Sequence, residues 1–332
     1  MIIYICKIFF LVDKYEMKIH RNINKFKANN PVITVGTFDG VHLGHTHIFN
    51  KLKEKARLID GETVVVTFWP HPKFVLQPDA DIKMINTIDE KIDLIQAQGI
   101  DHLVILEFSK AFAKLSSCNF IDKYLHKKLN IKALIVGYDH HFGKDREGNF
   151  EVLKACANQY NFSIDKVDAF MHGSLIVSST LIRNAVQNGE IEKANTWLSK
   201  KYFISGEIVG GKKIGRNIGF PTANIYVAEN YKMIPASGVY VVEVSLNNKQ
   251  YAGMLNIGYK PTVNNNKMNR TIEVHILNFE KNIYNENISV LFHKKLRDEK
   301  KFSSLDELKQ QLKKDKKLVG KYFNLETPAN KS

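Results

Sequence analysis

Hydrophobic patterning changes once along this chain, near residue 200, and that change constrains the fold more than any other feature. Before it, residues 32–35 (VITV), 63–68 (TVVVTF), 103–106 (LVIL) and 133–136 (ALIV) are short, continuous apolar runs rich in β-branched side chains. Such runs read as strands buried on both faces. Between them Ile48, Leu52, Ala56 and Ile59, then Ile88, Ile92 and Ile95, recur at helical spacing. The alternation predicts a parallel α/β sheet with helices on both sides and a ligand at the carboxyl ends of its strands. After residue 200 the runs 206–209, 239–244, 251–257, 271–276 and 288–292 alternate apolar with polar residues. These predict half-buried antiparallel strands. Asn247-Asn248 suits a hairpin turn, and Leu305, Leu308 and Leu312 mark one amphipathic helix at the end. The second half therefore reads as an antiparallel β-barrel with a C-terminal helix.

With 332 residues, 44% of them hydrophobic and 25% charged, the chain has enough apolar content for two cores, which excludes global disorder. No segment has the ~18 uninterrupted apolar residues of a membrane span, so no membrane partner is expected. Cys6, Cys118 and Cys156 lie far apart in sequence, which argues against a disulfide framework or a cysteine-based zinc site and favours the cytoplasm. Residues 1–200 hold 26 Lys and Arg against 22 Asp and Glu, whereas residues 201–332 hold 22 against 12. The last third thus suits an anionic partner, either nucleic acid or a phosphorylated small molecule, or carries a solvated basic surface. Lys313, Lys314, Lys316 and Lys317 form its densest run. Residues 1–12 are apolar but broken by Lys7, with no basic flank before them and no cleavage site after them, which argues against a signal peptide; residues 1–16 read as a non-native extension before Met17, in preference to a membrane-associating tail.

The first informative motif is residues 35–45 (VGTFDGVHLGH), between the first strand and the first helix. Gly36 and Gly40 permit a tight turn. His42 and His45, three apart, can share one side of the first helical turn. Gly44 between them lets a phosphate chain approach the backbone, and the helix start adds partial positive charge. Together these form a triphosphate cradle whose imidazoles could stabilise departing pyrophosphate. This His-x-Gly-His in a strand-turn-helix resembles the signature of the nucleotidylyl transferases. A second element of that superfamily is matched by residues 178–183 (SSTLIR), where Ser179 or Thr180 can cap a helix and Arg183 can reach phosphates. Residues 67–72 (TFWPHP) and 137–148 (GYDHHFGKDREG) follow further strands. Their aromatic rings could stack on a flat ligand, and Asp139 could hold a ribityl hydroxyl or a metal-bridged phosphate.

The second half carries residues 210–224 (GGKKIGRNIGFPTAN). Gly206, Gly211 and Lys212 approach a P-loop, but Lys213 replaces the required hydroxyl residue and Pro221 argues against a long following helix. A glycine-rich flap over phosphates (Gly211, Lys212, Gly215, Arg216), with Thr222 and Asn224 as oxygen ligands for Mg²⁺, makes better chemistry. Phosphoryl transfer to an alcohol also wants a carboxylate base. Glu273 stands mid-strand, and lining the barrel among apolar neighbours it would have a raised pKa that suits a base; an outward-facing strand glutamate fits Glu243 as well as Glu273, and alternation cannot choose between them.

From Met17 onward the order of motifs resembles the bacterial bifunctional riboflavin kinase/FAD synthetase family. Residues 219–224 (GFPTAN), 256–262 (NIGYKPT), 272–275 (IEVH) and 296–302 (LRDEKKF), the last containing Arg297, carry the flavokinase part. The resemblance implies a Rossmann-like nucleotidylyl transferase domain over 17–186, holding ATP through Gly36, Phe38, Asp39, His42, Gly44, His45, Ser179, Thr180 and Arg183, with Asp139 at the flavin or nucleotide site. It implies a β-barrel flavokinase domain over 187–332, with Mg-nucleotide on Thr222 and Asn224, Arg297 among the binding residues and Glu273 as base. Riboflavin, FMN and ATP would be its partners, not nucleic acid. Trp69, Asp139 and His140 depart from the common pattern and touch only details of the flavin pocket. An enzyme with one live activity, or a basic RNA-binding protein on a synthetase-like fold, are the alternatives; intact motifs in both halves, and plain lysines instead of interleaved aromatic and basic residues, argue against them.

Overall fold

The computed structural model describes residues 16–138, 143, 149–211, 214–262 and 265–325. Asp139, His140, Lys212 and the proposed extension through residue 15 lie outside the described residues. The chain forms two compact units that divide between Ser179 and Thr180.

The first unit runs β1 (Lys18–His20), β2 (Val32–Val35), α1 (Leu43–Leu58), β3 (Thr63–Trp69), α2 (Pro72–Leu76), α3 (Ile88–Gln96), β4 (His102–Glu107), α4 (Ser117–Phe120), β5 (Ala133–Gly137), α5 (Phe150–Gln159), β6 (Ser163–Val167), β7 (Met171–His172) and β8 (Leu175–Ile176). Its sheet has the order β1-β4-β3-β2-β5-β6, and every pairing is parallel. The continuous apolar runs have the expected cause. Ile33, Val35, Val64, Val66 and Val104 enter the core on one face, while Val32, Val65, Leu103 and Ile105 enter the core on the other. Successive strand residues point to opposite faces, so both sets must be apolar. The edge strands β1 and β6 were not expected; their patterns, eei and eieeB, hold too few buried residues to stand out from loops.

One expectation about cysteine fails. Cys118 and Cys156 form a disulfide, with sulfurs 2.06 Å apart. They are 38 residues apart in the chain, and α4 and α5 bring them into one core. Sequence spacing carries no trace of that proximity.

The second unit runs α6 (Ser179–Gln187, whose first residue counts with the first unit), α7 (Ile191–Leu198), β9 (Tyr202–Val209), α8 (Ile214–Asn217), β10 (Ala223–Tyr226), β11 (Gly238–Leu246), β12 (Lys249–Thr262), β13 (Asn265–Ile276), β14 (Asn287–Arg297) and α9 (Leu305–Tyr322). The strands close into an antiparallel barrel, β10-β13-β12-β11-β14-β9. Asn247 and Asn248 turn between β11 and β12 with φ of 50° and 61°, the left-handed values that a two-residue hairpin turn requires. The outer face of the barrel is covered where Val241 and Met254 pack with Val319 of α9. The predicted helical seam starts one turn too early: Leu305 is 60% exposed, and the buried positions of α9 are Asp315 and Val319. A helical side chain covers the turn N-terminal to its own Cα, and Leu305 has no turn before it. Lys313, Lys314, Lys316 and Lys317 are all exposed on this helix. Among the described residues, no helix is long and apolar enough to cross a membrane.

Candidate active sites

In the first unit β2 is central, with β3 on one side and β5 on the other. Its carboxyl end is therefore the point where strand order reverses, the usual ligand position in such sheets. The loop leaving β2 is conformationally costly. Phe38 (φ 48°), Gly40 (φ 91°) and Val41 (φ 42°) all adopt left-handed backbone. For a β-branched valine that is an outlier costing on the order of 1–3 kcal/mol, a strain typical of functional loops. Nothing in the residue types around Val41 signals it.

The turn delivers His42 to the N-cap of α1 and His45 to its first turn. The two imidazoles stack with centroids 3.6 Å apart and planes 20° apart. The His42 backbone N–H donates to His45 Nδ1 at 3.3 Å, and Phe38 meets His45 edge-on at 5.2 Å. A Cβ at Gly44 would stand 3.1 Å from His42 Cε1 and 3.2 Å from the Val177 carbonyl, so this glycine leaves the His42 ring its place. Gly36 does the same for the Phe38 ring, which would lie 2.9 Å from a Cβ there.

Asp39 takes a different position from the one its place in the motif suggested. Its side chain is buried, and its carboxylate accepts from the backbone N–H of Ile85 at 3.0 Å and of Asn86 at 3.3 Å. Ser179 Oγ donates to the Asp39 carbonyl at 2.8 Å. Asp39 and Ser179 thus brace the strained turn from behind. Arg183 Nη2 donates to Thr180 Oγ1 at 3.3 Å within α6. At the end of β3, half-buried Phe68 packs with Phe108, Phe112 and Phe120.

In the second unit register gathers the polar residues. Asn224 of β10 pairs with Glu273 of β13, which pairs with Asn256 of β12. Directly opposed residues in antiparallel strands share a face. That face is the outer one, since Ile225 is buried while Tyr226, two along from Asn224, is 57% exposed. Of the two orientations that the strand pattern leaves open, Glu273 takes the outward one and does not line the barrel interior; its neighbours are a hydroxyl and two amides. Thr222 Oγ1 donates to Glu273 Oε2 at 3.4 Å. Glu243 lies on the same face between Ala252 and Leu291, where burial raises its carboxyl and Lys201 opposes that.

The glycine flap folds onto this cluster. A Cβ at Gly211 would collide with the Asn224 amide, and one at Gly215 with the Phe220 carbonyl; the Phe220 N–H donates to the Gly215 carbonyl at 2.8 Å and closes a turn. Arg216, Pro221 and Thr222 border a cavity of about 440 Å³ whose far wall carries Phe279, Lys281 and Tyr284. Those three escaped sequence reasoning because they sit in the irregular segment between β13 and β14. His275 Nδ1 donates to the Pro221 carbonyl at 2.8 Å, and burial lowers its pKa. It fixes the flap's exit.

Arg297 is not brought beside this cluster; its strand, β14, is three strands from that of Glu273. Its guanidinium forks onto Asp315, with Nε at 3.1 Å and Nη2 at 2.8 Å from Oδ2, and Gln311 donates to the other oxygen at 2.9 Å. Asp315 is 1% exposed. Asp315→Ala is expected to cost roughly 3 kcal/mol in the urea unfolding of the second unit, the low end for a broken buried pair because the Arg297 side chain stays 22% exposed. A midpoint unchanged from wild type would show that this fork does not hold α9 to the barrel.

Known proteins resemble the chain along most of its length. Residues 24–181 match the FAD synthetase family model and residues 198–323 the riboflavin kinase model. A bifunctional riboflavin kinase/FMN adenylyltransferase of Buchnera aphidicola from Schizaphis graminum is 40% identical over 313 residues, covering 93% of this chain and all of that one. The protein of the same description from Escherichia coli K12 is 36% identical, covering 93% and 97%. A crystal structure described as a macrolide-efflux protein from Streptococcus pneumoniae superposes with a TM-score of 0.84 at 31% identity, over 91% of this chain and 98% of that one.

Proposed function

Because the chain belongs to the family of bifunctional riboflavin kinase/FMN adenylyltransferases, and so makes FMN from riboflavin and then FAD from FMN with ATP, we propose that each reaction is carried by one of the two residue clusters. The observation that supports this most is the separation itself: the stacked histidine pair and the Thr222–Asn224–Glu273 cluster lie in different compact units.

In the kinase, Glu273 accepts the proton of the terminal ribityl hydroxyl as its oxygen attacks the γ-phosphorus of ATP and the β–γ bridging bond breaks. The Thr222 hydroxyl and the Asn224 amide oxygen are hard donors beside a carboxylate, and Gly211 leaves the space over Asn224 that a Cβ would fill. That set fits Mg²⁺, which when bound with ATP neutralises charge on the phosphates. Gly211→Ala is expected to raise the KM for Mg-ATP in FMN formation roughly tenfold or more, the scale of a 1–3 kcal/mol overpacking penalty, and to leave FAD formation from FMN unchanged. Unaltered kinase kinetics would remove Gly211 from the nucleotide flap.

In the adenylyltransferase, an oxygen of the FMN phosphate attacks the α-phosphorus of ATP and pyrophosphate leaves. The nucleophile is already an anion, so positioning and charge stabilisation suffice. His42 and His45 donate to the leaving phosphates, Gly44 lets them approach the start of α1, Thr180 and Arg183 hold the remaining charge, and Asp139 serves the flavin or nucleotide. We set the functional boundary at 186/187, beyond the division of the compact units, because Thr180 and Arg183 belong to this chemistry. Both reactions consume ATP, which supports a cytoplasmic location; the Cys118–Cys156 bond removes cysteine usage as support for it.

Chromatography of products from riboflavin, ATP and Mg²⁺ tests the reading. FMN should appear first and FAD after it, and both should vanish with a chelator and return with Mg²⁺. Absence of any flavin product would end the proposal.

A further inference from the structure

A second recess, with a volume of about 560 Å³, lies on the second unit and shares no lining residue with the cavity at Thr222. Its walls are α7, the turn Ser199 to Lys201, His293 of β14 and Tyr322 of α9. Three cationic or protonatable groups line it: Lys200, Lys201 and His293. Among the described residues the one carboxylate on its wall is Glu192, and Lys294 stands 4.0 Å from it. Burial is the larger influence on both Lys200 and His293; Lys201 adds repulsion on His293 within the recess, while the like charge acting on Lys200 is Lys232, which is not among the lining residues. Burial and the neighbouring Lys232 push Lys200 down to about 7; burial and Lys201 push His293 down to about 4.

Geometry adds a second observation. His293 Nε2 is buried and has no hydrogen-bond partner among the described residues, while its Nδ1 faces the Tyr322 hydroxyl at 3.4 Å. A buried ring nitrogen left without a partner is uncommon in a well-packed protein. The elements around it are tied together: Asn195 of α7 donates to the Phe292 carbonyl at 2.9 Å and accepts from the Tyr202 N–H at 2.6 Å. The recess is therefore built and held open, with Ser199, Tyr322 and the three basic groups converging from different elements. A tetrahedral anion accepts from several directions at once, which a planar carboxylate does less well. The volume exceeds what a bare anion fills, and the Tyr322 and Phe323 rings stand against His293.

We propose that this recess is a second binding site, outside both reaction centres, for the phosphate group of a phosphomonoester. Lys200, Lys201 and His293 bind the phosphate, and the body of the ligand lies toward Tyr322. An occupant joins α7, β14 and α9, three elements that the reaction centres described above do not use.

The test follows the His293 side-chain nuclear magnetic resonance signals of the full chain during separate titrations with inorganic phosphate, FMN and ADP. Saturable movement is expected with at least one of them. A response to phosphate equal to that with FMN or ADP identifies a free-anion source; a response confined to FMN or ADP identifies a carried phosphate. Lys200→Met with Lys201→Met should weaken that binding about tenfold or more, the scale of a lost hydrogen bond to a charged group, with kcat for FMN formation unchanged. Lys201→Met alone, at an exposed side chain, serves the same purpose if the double variant does not fold. His293 signals that stay fixed with all three ligands, or equal affinity in the variants, would overturn the site.

Discussion

Glu273→Gln is expected to lower FMN formation from riboflavin about 10²–10⁴-fold, the usual contribution of a general base, while FAD formation from supplied FMN stays near wild type. Glutamine keeps the shape and the acceptor oxygen that faces Thr222 Oγ1, so the flap geometry survives and only proton acceptance is lost. The paired control is Glu243→Gln. That carboxylate shares the outer face but lies between Ala252 and Leu291, away from Thr222 and Asn224 in register. Loss of kinase activity in Glu243→Gln with retention in Glu273→Gln would reverse the assignment.

The second large effect is the converse. His42→Ala combined with His45→Ala should reduce FAD formation by about 10²-fold or more, the scale of losing donors to developing charge, and leave FMN formation intact. The kinetic split should fall on kcat, because leaving-group charge develops only in the transition state. The two rings stack at 3.6 Å and His42 is buried, so circular dichroism must show the fold retained. Loss of both activities in a folded protein would mean that the two centres are not independent.

Much of this architecture was legible in the sequence, for a physical reason. A strand buried on both faces needs apolar residues throughout, and a strand on a half-solvated barrel needs them alternately, so the two sheets announce themselves. The edge strands β1 and β6 did not, because an edge buries too little to impose a pattern. Of the candidate site residues, the structure accounts for the residue type where backbone constraint selects it: Gly44 beneath His42, and Gly211 against Asn224. The side on which Glu273 projects was not, since alternation fixes which residues share a face but not which face is inside. Asp39 misled for a related reason: a carboxylate in a phosphate motif suggests a ligand, and here it braces Ile85 and Asn86. Phe279, Lys281 and Tyr284 were invisible because an irregular segment has no periodicity to read.

The division of the compact units inside α6 has an evolutionary consequence. The Ser-Ser-Thr…Arg motif straddles it, with Ser179 on one side and Thr180 and Arg183 on the other. The two halves are therefore unequal candidates for gene fission. A cut that follows the packing would free a kinase gene with its barrel complete, yet leave the adenylyltransferase gene without Thr180 and Arg183, which we propose to hold charge in its reaction. Lineages that separate the two activities should keep α6 with the first gene, or lose FAD synthesis along with the fusion.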